Sequence, residues 1–211
     1  MIGALIVSHG DDDGLKLPPP VAPIQIVCIP IAREEAELAA LVATLDKLKD
    51  SLPQIRFHID ARPEVSIGFK RNEWELKGVP VRLEFGKQEA EKGVFGIARR
   101  DIGEKSTIPL ADAEKVLPQL LETITSDMYQ AAQKQVASSI TEVTNFTEFE
   151  AVMAKGGYAK AYFCEDIAME KEIQEKTKAT TRVVVMEPTK PGVCFYSGKK
   201  AERQWYFAKA Y

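Results

Sequence analysis

The chain has 211 residues, a formal net charge of −3, and 45% hydrophobic against 28% charged residues, the proportions of an ordinary globular protein with one large core or two small ones. This weak acidic balance argues against sequence-blind nucleic-acid binding, which brings a visible basic excess. Three cysteines, Cys28, Cys164 and Cys194, are too few for a disulfide framework, so a reduced, cytoplasmic setting is expected.

Residues Met1 to Val7 lack the basic leader and cleavage site of a secretory signal. No apolar run approaches about 20 residues, so no membrane span is expected. Gly10-Asp11-Asp12-Asp13-Gly14 and then Leu17-Pro18-Pro19-Pro20 form a turn and a stiff connector. The aspartates do not make a calcium loop. Counting from Asp11, the twelfth position is Ala22, where a glutamate ligand is required. A solvated acidic turn is the expectation.

Ile24 to Ile31 is a continuous β-branched run and predicts a strand buried on both faces, with Cys28 as a small buried hydrophobe. Arg33 to Leu52 carries Leu38, Leu41, Val42, Leu45 and Leu48 at helical spacing and stops at Pro53. Ile55 to Asp60 alternates like a strand, with His58 facing outward. Val79 to Phe85 and Val94 to Ala98 read as two more strands. From Asp112 to Ile140 a long amphipathic helix is expected, with Pro118 in or near its first turn. A second unit opens at Thr147 with the capping-box spacing to Glu150, and Gly156 ends that helix. Strands at 158–164, 182–186 and around 193–195 and 205–207, with a helix at 170–176, complete a small α/β unit.

The stretch Gly68 to Pro80, read as a polar insert between strands, is crowded with charge and holds Trp74, one of two tryptophans. From Lys70 to Lys87 five basic groups (Lys70, Arg71, Lys77, Arg82, Lys87) face three acids (Glu73, Glu75, Glu84). Such a stretch suits a surface that hydrogen-bonds to a flat polar partner. Trp74 is expected to pack and to anchor the loop.

The run Lys70-Arg71-Asn72-Glu73-Trp74-Glu75-Leu76-Lys77-Gly78-Val79-Pro80, followed by Arg82, resembles the anticodon-binding signature of prolyl-tRNA synthetase of the archaeal and eukaryotic type. Ile2 to Ile6, His9-Gly10-Asp11-Asp12 and Leu17-Pro18-Pro19 resemble the end of its class II motif 3 and the connector beyond. Arg99-Arg100-Asp101 to Lys105 and the ending Phe207-Ala208-Lys209-Ala210-Tyr211 match further on. Four matches in the right order cover essentially the whole chain.

The resemblance implies an α/β fold. Residues 1–20 would be the end of motif 3 and the connector, 21–125 a class II anticodon-binding domain with a mixed sheet flanked by helices, and 126–211 a small α/β C-terminal domain. It also implies a site. Proline anticodons keep guanine at their last two positions, and the Watson–Crick edge of guanine offers adjacent imino and amino donors that one carboxylate accepts together. Glu75 would be the guanine reader, with Arg82 and Lys105 as cationic partners and Lys70 and Arg71 in the same anticodon-binding set. The bland alternative for Glu75 and Arg82 is a surface ion pair contributing about 0–1 kcal/mol. Two positions depart from the family pattern. Arg71 stands where Phe is frequent, suggesting guanidinium stacking, and Gln88 stands where Lys is frequent, beside Lys87.

Several members hold zinc with four cysteines in the terminal domain. Here those positions are Cys164, Met169, Cys194 and Ser197, so structural zinc is expected to be absent and core packing to replace it. Tyr211 would return its terminal carboxylate toward the catalytic domain and support the active site. Class II motifs 1 and 2 do not occur in this sequence, and no phosphate loop, metal triad or nucleophile–base pair replaces them. The implied role is therefore the tRNA-recognition part of proline–tRNA ligase, inactive by itself. Implied partners are proline tRNA, the catalytic domain and a homodimeric whole, with ATP and magnesium used only by the intact enzyme. The rival readings are a non-enzymatic nucleic-acid accessory module of the same fold and a small-molecule α/β protein. The tail Phe207 to Tyr211 argues against the first, and the lack of a glycine-rich turn after Ile31 against the second.

Overall fold

The computed structural model describes residues 2–187 and 190–209. The chain divides into two compact units, Met1–Gln130 and Ala131–Tyr211. The first begins with α1 (Ile2–His9) and a small hairpin, β1 (Gly10–Asp11) and β2 (Gly14–Leu15). Then follow β3 (Ile26–Ile31), α2 (Glu35–Ser51), β4 (Phe57–Ile59), α3 (Ile67–Leu76), β5 (Val81–Gly86), α4 (Lys87–Lys92), β6 (Val94–Arg99) and β7 (Lys105–Pro109). A short 3₁₀ turn leads into α5 (Ala113–Ser139), within which the division between the units falls.

The five strands lie in the order β4-β3-β5-β6-β7, parallel over the first three and antiparallel beyond. This is the mixed sheet expected. Alternation along β3 decides which side chain meets which helix. Ile26 and Cys28 pack with Leu41 and Leu45 of α2 and Leu117 of α5, while Val27 and Ile29 pack on Trp74 of α3. The strand is therefore buried on both faces, as its unbroken apolar run requires.

Several elements depart from the sequence reading. Residues 67–76, taken for a polar insert, form helix α3, started by Ser66, whose hydroxyl accepts from the Phe69 amide at 3.2 Å. Its charges hid a buried stripe only two residues long, Lys70 and Trp74, one turn apart. Strand β7 and helix α4 were missed altogether. Thr107-Ile108 after the positive-φ Gly103 was the available signal for β7. Pro118 lies in the second turn of α5, close to its start as expected.

The second unit contains β8 (Ile140–Glu142), α6 (Phe146–Lys155), β9 (Tyr158–Phe163), α7 (Ile167–Thr177), β10 (Ala179–Val184), β11 (Gly192–Val193), β12 (Lys200–Ala201) and β13 (Arg203–Lys209). Its main sheet runs β10-β13-β9-β8. Helix α6 starts two residues earlier than the Thr147 box predicts. Asn145 caps the Glu148 amide at 3.0 Å while the Glu148 carboxylate accepts from the Thr144 amide at 2.8 Å, the same reciprocal device shifted along the chain. Gly156 closes α6 at φ 88°, as expected. The core is aromatic: Phe149 stacks on Phe195 at 4.7 Å and meets the edge of Phe207 at 5.3 Å. Phe207 is fully buried on the strand between β10 and β9. Tyr211 lies outside the described residues.

Candidate nucleic-acid interface

The register of the first sheet lines up the site. Across neighbouring strands Val27 pairs with Arg82, Arg82 with Ala98, and Ala98 with Lys105. One transverse row thus carries two cations with a methyl group between them. Two strand spacings separate Arg82 from Lys105, roughly 10 Å. The next row is Ile29, Glu84, Gly96 and Thr107. Small residues at 96 and 98 leave the β6–β7 half of this face low and open, while α3 covers the β3 half.

Glu75, on the last turn of α3, leans over the edge of this floor. It lines a cleft with Arg82, Ala98, Arg100, Gly103 and Lys105. The space open to water there is about 40 Å³, room for roughly three waters. Glu75 keeps 40% of its side chain exposed, and the Arg82 guanidinium lies 3.9 Å from it, a loose ion pair too long for a hydrogen bond. No described residue donates to the Glu75 carboxylate, so both oxygens are free to accept. Lys105 is exposed and pairs with no acid among the described residues.

Arg82 and Arg71 are held by one acid. Glu84 accepts from Arg71 through both oxygens, at 2.8 and 2.6 Å, and from Arg82 Nε at 3.2 Å. Burial pushes the Glu84 carboxyl up, but the Arg71 hydrogen bonds and both arginine charges outweigh it and hold it below its ordinary value. The Arg71 plane is therefore fixed, with 43% of the side chain exposed. The structure brings Glu75, Arg82 and Lys105 to one cleft and sets Arg71 beside them.

Lys70 does not join them. It is turned inward, 4% exposed, with Nζ 3.1 Å from the Asp60 carbonyl and 3.8 Å from the Asp60 carboxylate. Helical phase is the reason: positions 70 and 74 share the face toward β3, whereas 71 and 75 share the neighbouring face toward β5. Trp74 packs as expected, but it anchors a helix, donating through Nε1 to Asp60 at 2.8 Å. Burial pushes the Asp60 carboxyl up; hydrogen bonds from Arg62 and Trp74 prevail and hold it well below the usual carboxylate range.

The aspartate turn is also more than solvated. Arg100, missed in the sequence, binds Asp11 through both terminal nitrogens, at 3.0 and 2.5 Å. Lys16 adds an ion pair at 2.9 Å. The Arg100 hydrogen bonds and the Lys16 charge carry the Asp11 carboxyl far below its ordinary value against a smaller burial effect. Arg99, in the neighbouring row, is taken up by Asp101 and Asp127.

Similarity now adds to geometry. An anticodon-binding-domain model matches residues 25–120 and a model described as prolyl-tRNA synthetase, C-terminal, matches 146–211. The chain is 40% identical over its whole length to a proline–tRNA ligase of Chloroflexus aurantiacus and 39% to one of Flavobacterium johnsoniae. A crystal structure of prolyl-tRNA synthetase from Cryptosporidium parvum, complexed with L-proline and AMP, superposes on all of this chain with a TM-score of 0.91 at 31% identity. The chain belongs to the prolyl-tRNA synthetase family. It spans 45% and 44% of those two ligases and 46% of the Cryptosporidium chain, so it corresponds to the C-terminal part of the family's architecture.

The four positions that the resemblance assigns to zinc come together in this chain without a zinc ligand set. Cys164 Sγ lies 3.6 Å from Met169 Sδ and 3.6 Å from Ser197 Oγ. Cys194 receives the Ser197 hydroxyl and amide and the Tyr196 and Cys164 amides; together these outweigh burial and lower its thiol. Two thiols, a thioether and a hydroxyl do not fit a closed zinc tetrahedron. Among the described residues, no group of three or more His, Cys, Asp or Glu can hold a metal ion.

Proposed function

We propose that this chain is the tRNA-recognition portion of a proline–tRNA ligase, and that Glu75, Arg82 and Lys105 read guanine in the proline anticodon. The single observation that carries the reading is a Glu75 carboxylate that accepts no hydrogen bond from the described residues and is only loosely paired with Arg82, set over a cationic row with a small-residue floor. Guanine presents two donors side by side, which this carboxylate accepts together, and its carbonyl then faces Arg82. Lys105, two strands away, serves a phosphate or a second base. Arg71 offers the exposed face of a guanidinium clamped by Glu84, suited to stacking on a base. Lys70 has no part in the contact; it holds α3 to Asp60.

In the intact ligase, ATP and magnesium serve a catalytic domain whose motifs 1 and 2 this sequence does not carry, and Tyr211 supports that domain's active site. A cytoplasmic homodimer is the form expected of the whole. The terminal unit is held by its aromatic core in place of zinc; metal analysis of protein prepared without chelators is expected to find none, and one zinc per chain overturns that.

The deciding experiment is binding of the chain to a proline tRNA anticodon stem-loop, followed by fluorescence anisotropy. Replacing either guanine with adenine, or Glu75→Gln, is expected to cost about 1–3 kcal/mol, roughly 5- to 150-fold in Kd. An unrelated stem-loop should be insensitive to Glu75→Gln. Equal loss for both loops leaves only phosphate attraction and refutes the reading.

A further inference from the structure

One guanidinium joins two places far apart in sequence. Arg100 is nearly buried, 7% exposed at its side chain. Its terminal nitrogens hold Asp11 of the 10–15 hairpin, while its Nε donates at 3.1 Å to the main-chain carbonyl of Glu75. Its own amide is tied to the Pro80 carbonyl at 3.0 Å. The hairpin meets the end of α3 with no space between. A Cβ at Gly14 would sit 2.5 Å from Leu76 Cα, and one at Gly78 would sit 2.6 Å from Leu15 Cβ. The Leu17 amide also donates to the Gly78 carbonyl at 3.2 Å. The last turn of α3, which aims the Glu75 carboxylate, is thus held between the hairpin and Arg100.

We propose that Arg100 is a positioning residue for guanine reading, fixing Glu75 against Asp11 so that the seating of the 10–15 hairpin sets how well the cleft discriminates guanine. This rests on the anticodon reading given above. The planar fork supplies three directed bonds at once, two to a carboxylate and one to a carbonyl, which a lysine ammonium cannot direct in one plane. Misplacing a carboxylate that must meet two donors together removes discrimination, whereas attraction of the RNA backbone depends on charge and tolerates displacement. Coupling is reciprocal, so bound RNA must in turn steady the hairpin.

The test uses the whole chain and two stem-loops, the proline anticodon loop and the same loop with one guanine replaced by adenine. The readout is the ratio of their Kd values, with the urea midpoint measured alongside. Arg100→Lys is expected to lower that ratio about tenfold and Asp11→Asn about three- to tenfold. The double variant should be no worse than Arg100→Lys alone, because both act through one linkage. The proline loop, and not the adenine loop, should slow amide exchange at Asp13 and Lys16. Ratios unchanged in the folded Asp11→Asn variant, independent effects that multiply, or hairpin exchange indifferent to RNA each overturn the proposal. If Glu75→Gln collapses the ratio while Asp11→Asn and Arg100→Lys do not, only the linkage fails. If the wild-type ratio is itself near one, the guanine reading fails with it.

Discussion

Asp60→Ala is the sharpest test of how α3 is held, and its cost follows from the contacts. Asp60 follows β4 with a side chain fully removed from solvent. Its two oxygens accept from Arg62 at 2.8 and 2.7 Å and from Trp74 Nε1 at 2.8 Å, with the Lys70 ammonium 3.8 Å away. Truncation strands a buried indole N–H and leaves Lys70 with a single carbonyl. Removing one partner from a buried charged pair costs about 3–5 kcal/mol, against about 0–1 kcal/mol for an exposed pair. For a unit of this size, that amounts to a midpoint lowered by roughly 10–20 °C. The assay is urea and thermal unfolding followed by Trp74 fluorescence in a Trp205→Phe background, so that the second unit stays silent. Lys70→Met should cost less in the Asp60→Ala protein than in the wild type, since it then removes an ammonium already left without its carboxylate. A loss under about 1 kcal/mol for Asp60→Ala, or strict additivity with Lys70→Met, would refute the argument that this cluster is internal structure.

Gly78→Ala should destabilise the first unit by about 1–3 kcal/mol, since φ is 73° there and a methyl group would meet the Leu15 backbone at 2.8 Å; an unchanged urea midpoint would sink it. Phe207→Ala should cost the second unit about 3–5 kcal/mol, read by Trp205 fluorescence, because Phe207 meets the rings of Phe149, Phe163 and Phe195; a loss below about 1 kcal/mol contradicts the packing. Asp11 and Asp60 both have carboxyls lowered in the fold. Their stabilisation is complete above the unfolded value of about 3.9 and is lost as pH falls below it toward the folded values. The first unit should weaken from about pH 4 downward, with a shallower decline in Asp11→Asn; parallel melting curves for the two proteins across that range would contradict it.

Much was legible in the order of residues. The unbroken apolar run of β3, the period of α2 and the long pattern of α5 each identify an element, because burial on two faces or along one stripe leaves a period in the chain. The resemblance, around Trp74 and again at Arg99 to Lys105, singled out Glu75, Arg82 and Lys105 as candidates. Local order misassigned the helix that presents Glu75, since a helix burying one tryptophan and one lysine carries too narrow a stripe to be seen among charges. Whether Lys70 or Arg71 is the one turned inward depends on a 100° step of helical phase against a sheet, which composition does not record. The same holds for Arg100 and Asp11. Eighty-nine residues separate them, and only the packing of the hairpin on α3 makes them one ion pair. Sequence alone determined the chemistry available and the elements that carry it; tertiary structure decided which charges neutralise one another inside the protein and which, like the Glu75 carboxylate, accept no hydrogen bond from the described residues, because that selection depends on distances that close only when the sheet registers and the helices dock.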